Sequence, residues 1–219
     1  MTFELSYTWA AMPRLLEGAL LTLQLSAAAL FFSVLLATVL TIVRSTGFKP
    51  ALIAINVYIS YIRGTPLLIQ ILLVFYVLPV IGLNLQPMAA GIAALALSSA
   101  AFTIEIMRGG LAAIPKGQIE AARSLGLRAP VIWAKIILPQ LFNLIIPPLV
   151  NEFTLVIKGT PLVSVITVVE LMRMAQQMYN TNFRAAEVLL GVALIFFAMN
   201  FALSRLGDHL ERRNAAKLA

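Results

Sequence analysis

The sequence predicts an all-α polytopic membrane protein, and three observations predict it. Hydrophobic residues make up 61% of the 219 positions and charged residues 11%, against roughly 45–50% and ~25% in soluble domains. The mean hydropathy is +0.95. Several uncharged apolar runs reach the ~18–20 residues that cross a bilayer core, whereas barrel strands would alternate over about ten. The same composition excludes most covalent chemistry. There are zero cysteines, and the single histidine, His209, lies in a charged tail, so no thiol chemistry, metal centre, Ser/His triad or cofactor of the chain's own is expected.

The elements follow in order along one transmembrane domain, residues 1–219. Residues 18–43 carry no charge over 26 positions, about 39 Å of helix at ~1.5 Å per residue, and form the first span. A cleaved signal peptide is the rival reading. The run is about twice the usual h-region, and Glu4 and Glu17 spoil a basic n-region, so retention is predicted. Residues 51–62 are apolar but short, and Arg63-Gly64 interrupts them. They read as a cytoplasmic-side helix, followed by a span over 65–81 with Thr65 as N-cap and Pro66 as first helical residue. The third span is 87–107. The fourth, 131–157, contains Pro139 and Pro147-Pro148, which are expected to kink it or end it locally. Residues 158–183 are mixed in polarity, and 185–204 make the fifth span despite Glu187 near its start.

Charge placement orients the chain. Residues 44–64 hold Arg44, Lys49 and Arg63; residues 108–135 hold Arg108, Lys116, Arg123, Arg128 and Lys135; the tail holds Arg205, Arg212, Arg213 and Lys217. That is twelve basic residues on one side, against Arg14, Lys158, Arg173 and Arg184 on the other. The positive-inside rule then puts the N-terminus outside and the C-terminus in the cytoplasm. The net charge of +7 is thereby assigned to the membrane rather than to nucleic acid. No G-x-x-x-x-G-K-[ST] occurs, so the chain is not expected to bind ATP through a P-loop.

The loop over about residues 108–130 is the most informative segment. Between Pro115 and Gly126 it reads as a short helix, proline at its front and glycine at its C′ position. Ile119, Ala122 and Leu125 share one face, and Glu120 and Arg123 another. Ala121 and Ala122 would let another protein approach closely.

Glu120-Ala121-Ala122, then Gly126, Ile136 and Leu138-Pro139, reproduce the spacing E-A-A-x3-G-x9-I-x-L-P. This resembles the signature of the membrane-spanning subunits of ABC-type importers. Tyr61 to Gln70, Ser98 to Gly110 and Ile114 to Leu127 resemble, more narrowly, the polar amino-acid permeases. The likeness runs from about residue 14 to residue 206. It implies the type I importer permease fold, with five helices and an external N-terminus, in the bacterial inner membrane. It also implies that Gln118, Glu120, Ala121, Ala122, Arg123 and Gly126 form a coupling helix for a separate ATPase subunit. Two ATPases carrying ATP and magnesium, a second permease subunit, either a copy or a related chain, and an external amino-acid-binding protein complete the implied assembly. Transport would proceed by alternating access.

Ionisable groups inside a span are functional candidates by default. Glu152, beside Asn151 and past the Pro147-Pro148 break, has no basic residue at i±3 or i±4. It reads as a cavity-facing carboxylate suited to a polar amino acid, cationic ones included, or to any α-ammonium; a structural partner on another helix is the bland alternative. Glu105 lies three residues before Arg108, which explains it as an i,i+3 pair, while the resemblance puts it near the pathway on a stripe with Ser98 and Phe102. Gln70 and Asn56 read as interhelical hydrogen-bonding residues. Where the family has K-D-T-S-L as an outer gate, this chain has Lys158-Gly159-Thr160-Pro161-Leu162. Lys158, Thr160 and Pro161 are the implied gate residues, without the family's aspartate and serine. Met172, Met174 and Met178 read as adaptable packing or a docking surface. A channel or ion-coupled carrier working alone is the alternative function; Glu105 and Glu152 are too few for an ion path.

Overall fold

The structure, a computed structural model, describes residues 3–218, with side chains over 3–213. Lys217, counted above on the basic side, lies outside the described side chains. Among the described residues there is no strand. The helices are α1 (Leu5–Ser45), α2 (Lys49–Gly64), α3 (Leu67–Tyr76), α4 (Pro87–Ala113), α5 (Lys116–Ser124), α6 (Ala129–Ile132), α7 (Leu138–Gly159), α8 (Leu171–Asn182) and α9 (Ala185–Leu218). Among the described residues four stretches are long and apolar enough to cross a membrane, and a fifth arises if α2 and the segment Leu67–Ile81, bent by 113°, count as one.

α1 is 41 residues long, about 60 Å and twice the thickness of a hydrocarbon core. Residues 18–43 are therefore only its later part. Its first turns lie on α8 and α9, where Ala11 and Leu15 join Leu171, Ala175 and Val188 in a buried cluster. Thr8 donates to the Glu187 carbonyl at 3.0 Å. The Glu187 carboxylate is met by Arg184 at 3.1 Å, which also reaches Glu4 at 3.5 Å and covers the Tyr7 ring at 3.7 Å. Further along, Thr22, Ser26, Ala29, Ser33 and Ala37 are buried in a row. These small residues let α1 lie close along α4, which presents Ala90, Ala94 and Ala101.

The proline positions correct the sequence expectation in two places. Pro66, at φ −62° and ψ 139°, is the N-cap and α3 opens at Leu67, one residue later than expected. The residue before a proline is driven out of the helical region, and Thr65 is extended at φ −119° and ψ 142°. Its hydroxyl caps nothing: it donates back to the Tyr61 carbonyl at 2.9 Å. The second correction is in the fourth helical stretch, which passes all three prolines. A π-helical turn over Trp133–Ile137 precedes Pro139, with the Leu138 N–H on the Trp133 carbonyl, and α7 continues through Pro147 and Pro148 to Gly159. The wider turn supplies the room that the proline ring needs.

α8 begins at Glu170, whose carboxylate accepts from the N–H groups of Met172 at 2.9 Å and Arg173 at 2.8 Å. Thr22 of α1 accepts from the Leu171 N–H at 3.1 Å. A Cβ on Gly18 would lie 2.8 Å from the Leu171 Cα, so glycine is what allows α8 to seat on α1.

Candidate functional site

Two places bring the sequence-selected residues together. The first is α5. Pro115 stands at its N-cap and Leu125 at its C-cap, with Gly126 at φ +74° beyond. The Gly126 N–H bonds the Arg123 carbonyl at 2.9 Å and the Leu127 N–H bonds the Ala122 carbonyl at 3.2 Å. This is a Schellman closure, and a left-handed residue is needed for it. The closure also decides which side chains face out. Ala122 is buried in the core cluster with Ile114, Ile132 and Ile137, so of the two alanines only Ala121 is on the surface. Leu125, expected beside Ile119 and Ala122, is instead 79% exposed. Glu120, Arg123 and Gly126 are exposed as well. Gln118 is tied to α7, because Gln140 donates both to its side-chain oxygen and to the Ile136 carbonyl at 2.8 Å.

The second place is a cavity of about 260 Å³ bounded by the α2–α3 corner, α4 and α7. Glu152 and Ser98 both line it, and so do Ser99 and Phe102. Glu152 is buried, with the Ser99 hydroxyl beside it in the cavity wall. Behind Ser99 a line of hydroxyls runs inward: Ser33 donates to Ser99 at 3.1 Å and lies 3.1 Å from Thr103. Among the described residues no cation lies within ion-pair distance of Glu152.

Other sequence-selected residues lie elsewhere. Asn151 is exposed and lines a separate groove between α7 and α9 with Pro147, Ser204 and Asp208. One residue on a helix is a rotation of about 100°, which is enough to separate neighbours in sequence. Glu105 does not line the cavity; it holds Arg108 at 2.6 Å and Arg44 at 3.4 Å, an ion-paired cluster joining α4 to the end of α1. The proposed gate residues also part company. Lys158 and Pro161 line a groove with Phe196, Phe197 and Asn200, while Thr160 is fully buried and donates to the Ile157 carbonyl at 2.8 Å. Gly159 has a packing reason, since a Cβ there would come 2.8 Å from a Leu67 methyl. Among the described residues no group of three metal-ligating side chains occurs.

Ser99 was not selected from the sequence, and two further polar residues of the cavity were missed. Arg63, counted with a cytoplasmic loop, lines it; so does Gln70, read only as interhelical glue. The Gln70 amide nitrogen donates to the Ile62 and Thr65 carbonyls at 2.9 and 3.0 Å and to the Thr65 hydroxyl at 3.1 Å, fastening the α2–α3 corner. Its oxygen is buried without a hydrogen-bond partner. The available sequence signal was the Arg63-Gly64-Thr65-Pro66 break between two apolar runs.

Residues 48–215 match the family model of the binding-protein-dependent transport system inner membrane component. The L-cystine transport system permease protein TcyB of Bacillus subtilis is 36% identical over 92% of this chain and 86% of its own. The arginine transport system permease protein ArtQ of the same organism is 34% identical over 97% and 98%. The crystal structure of an amino acid ABC transporter with histidines superposes with a TM-score of 0.89 at 36% identity, over 97% of this chain and 100% of that one. Such permeases work with ATPase and binding-protein partners. With this fold, and its multi-pass set of apolar helices, the chain belongs to the inner-membrane components of binding-protein-dependent ABC transport systems.

Proposed function

We propose that this permease subunit imports a polar amino acid, cationic ones included, by alternating access, and that the cargo is held at the Glu152 cavity. The observation that carries the reading is a buried carboxylate beside a hydroxyl, with no cation at ion-pair distance among the described residues, facing a cavity of about 260 Å³. An unpaired carboxylate in an apolar bundle is costly unless something cationic visits it, and an amino acid always brings an ammonium. The relatives named for arginine and cystine transport support the cargo class.

In this reading Ala121, Leu125, Glu120 and Arg123 form the face that meets the ATPase, with Gly126 closing the helix and Ala122 and Gln118 holding it to the bundle. Two such subunits, identical or related, rock between states as two ATPases bind ATP and magnesium. The twelve-to-four distribution of basic residues favours an external N-terminus. Lys158, Thr160 and Pro161 then lie towards the outer side, where a gate would act. The test is to purify the tagged chain in mild detergent and identify its companions by mass spectrometry. One P-loop ATPase per membrane subunit, lost in Glu120→Arg, is expected; a stable preparation without ATPase would favour a solitary channel or carrier.

A further inference from the structure

We infer that Arg63 is the specificity residue that reads the cargo's α-carboxylate, so that the cavity accepts a zwitterion held between Arg63 and Glu152; the inference rests on the cargo reading of that cavity.

Arg63 and Glu152 line one cavity from different helices, α2 and α7. Opposite charges in apolar surroundings attract strongly, yet these two form no ion pair, and Arg63 forms no hydrogen bond with any described residue. The corner that carries Arg63 is fastened in place. The three bonds from the Gln70 amide fix the corner just after Arg63, and Ile62 is buried in the core before it. The guanidinium is therefore presented by a rigid turn. The nearby carboxylate does not absorb it either: Glu105 is occupied by Arg44 and Arg108, and Arg63 feels it only at longer range.

Arg63 is itself exposed, at the edge of a cavity that reaches into the bundle. The cavity's α4 residues, Ser98, Ser99 and Phe102, fall at the middle of a helix running from Pro87 to Ala113. The Tyr58 hydroxyl donates to the Leu97 carbonyl, so α2 is fastened to that same level. A cation there needs water or an anion.

A molecule with an ammonium and a carboxylate on one carbon satisfies both charges at once. The guanidinium offers paired N–H groups to a carboxylate. The ammonium gains the Glu152 carboxylate. About 260 Å³ is on the scale of a single amino acid.

The complex of this chain with its ATPase subunits, without binding protein, is equilibrated with the twenty standard amino acids and cystine, radiolabelled one at a time. The binder is then compared with its own α-amide in wild type, Arg63→Ala, Arg63→Lys and Glu152→Gln. The expected result is a preference for the acid of about 10–100-fold, abolished in Arg63→Ala, partly kept in Arg63→Lys, with weakened binding of both forms in Glu152→Gln. An acid preference that survives Arg63→Ala, or equal loss of acid and amide there, overturns the inference. If Glu152→Gln still weakens binding in that case, the cargo reading stands without it. No binding by any amino acid, or binding indifferent to both Glu152→Gln and Arg63→Ala, removes both.

Discussion

The α5 helix and the Glu152 cavity expose polar chemistry from this apolar chain in opposite ways. α5 is built from contiguous residues, closed by backbone bonds within one turn of itself, and turns charge outward. The cavity takes its polar groups from α2, α3, α4 and α7 and turns them inward. A local motif can be displaced as a rigid body without altering its own surface, as a lever must be. A site shared among four helices changes whenever those helices move relative to one another, as a cargo site must. Under the proposed function, the two designs suit the two ends of one coupling.

Four substitutions break or sharpen that contrast. The largest effect is expected from Glu120→Arg, which reverses charge on the exposed α5 face: ATP-driven uptake falls at least about a hundredfold, in line with charge reversal at a docking surface, while amino-acid binding to the membrane complex stays within twofold. A parallel loss of binding would show that α5 and the cavity are one unit. Next, Glu152→Gln weakens cargo binding by about 10–100-fold, the worth of a charged hydrogen bond, and leaves ATPase copurification unchanged; loss of the ATPase would make Glu152 a folding residue. Ser99→Ala removes the hydroxyl between Glu152 and Ser33. It should cost about 1–3 kcal/mol of stability, read as a lower midpoint of thermal unfolding in detergent, with binding reduced less than in Glu152→Gln.

Gln140→Leu has the smallest expected effect. It frees Gln118 and so loosens α5 from α7 at a cost of about 0.5–1.5 kcal/mol, visible as a few-fold drop in uptake per ATP hydrolysed. Unchanged coupling would mean that the core contacts of Ala122 alone position the helix.

The same contrast explains what could be read from the sequence. α5 was legible because its signals are local: Pro115 at the front, Gly126 at the end, and the E-A-A spacing between. Its facing was less so, because the closing turn exposes Leu125 and sends Ala122 inward. Glu152 and Ser98 were legible as polar interruptions of apolar helices. Arg63 was not, because a charge count assigns it to the nearest loop, and only the 113° turn at Thr65-Pro66 returns it to the cavity. Asn151 was wrongly grouped with Glu152 by adjacency alone.

The most direct test of the account is ATP-driven uptake of a radiolabelled amino acid into proteoliposomes holding this permease with its ATPase and binding protein, comparing wild type with Glu120→Arg. The account predicts uptake in wild type that requires all three components and ATP, and none in Glu120→Arg despite intact cargo binding. Uptake that proceeds without the ATPase, or that survives Glu120→Arg undiminished, would contradict it.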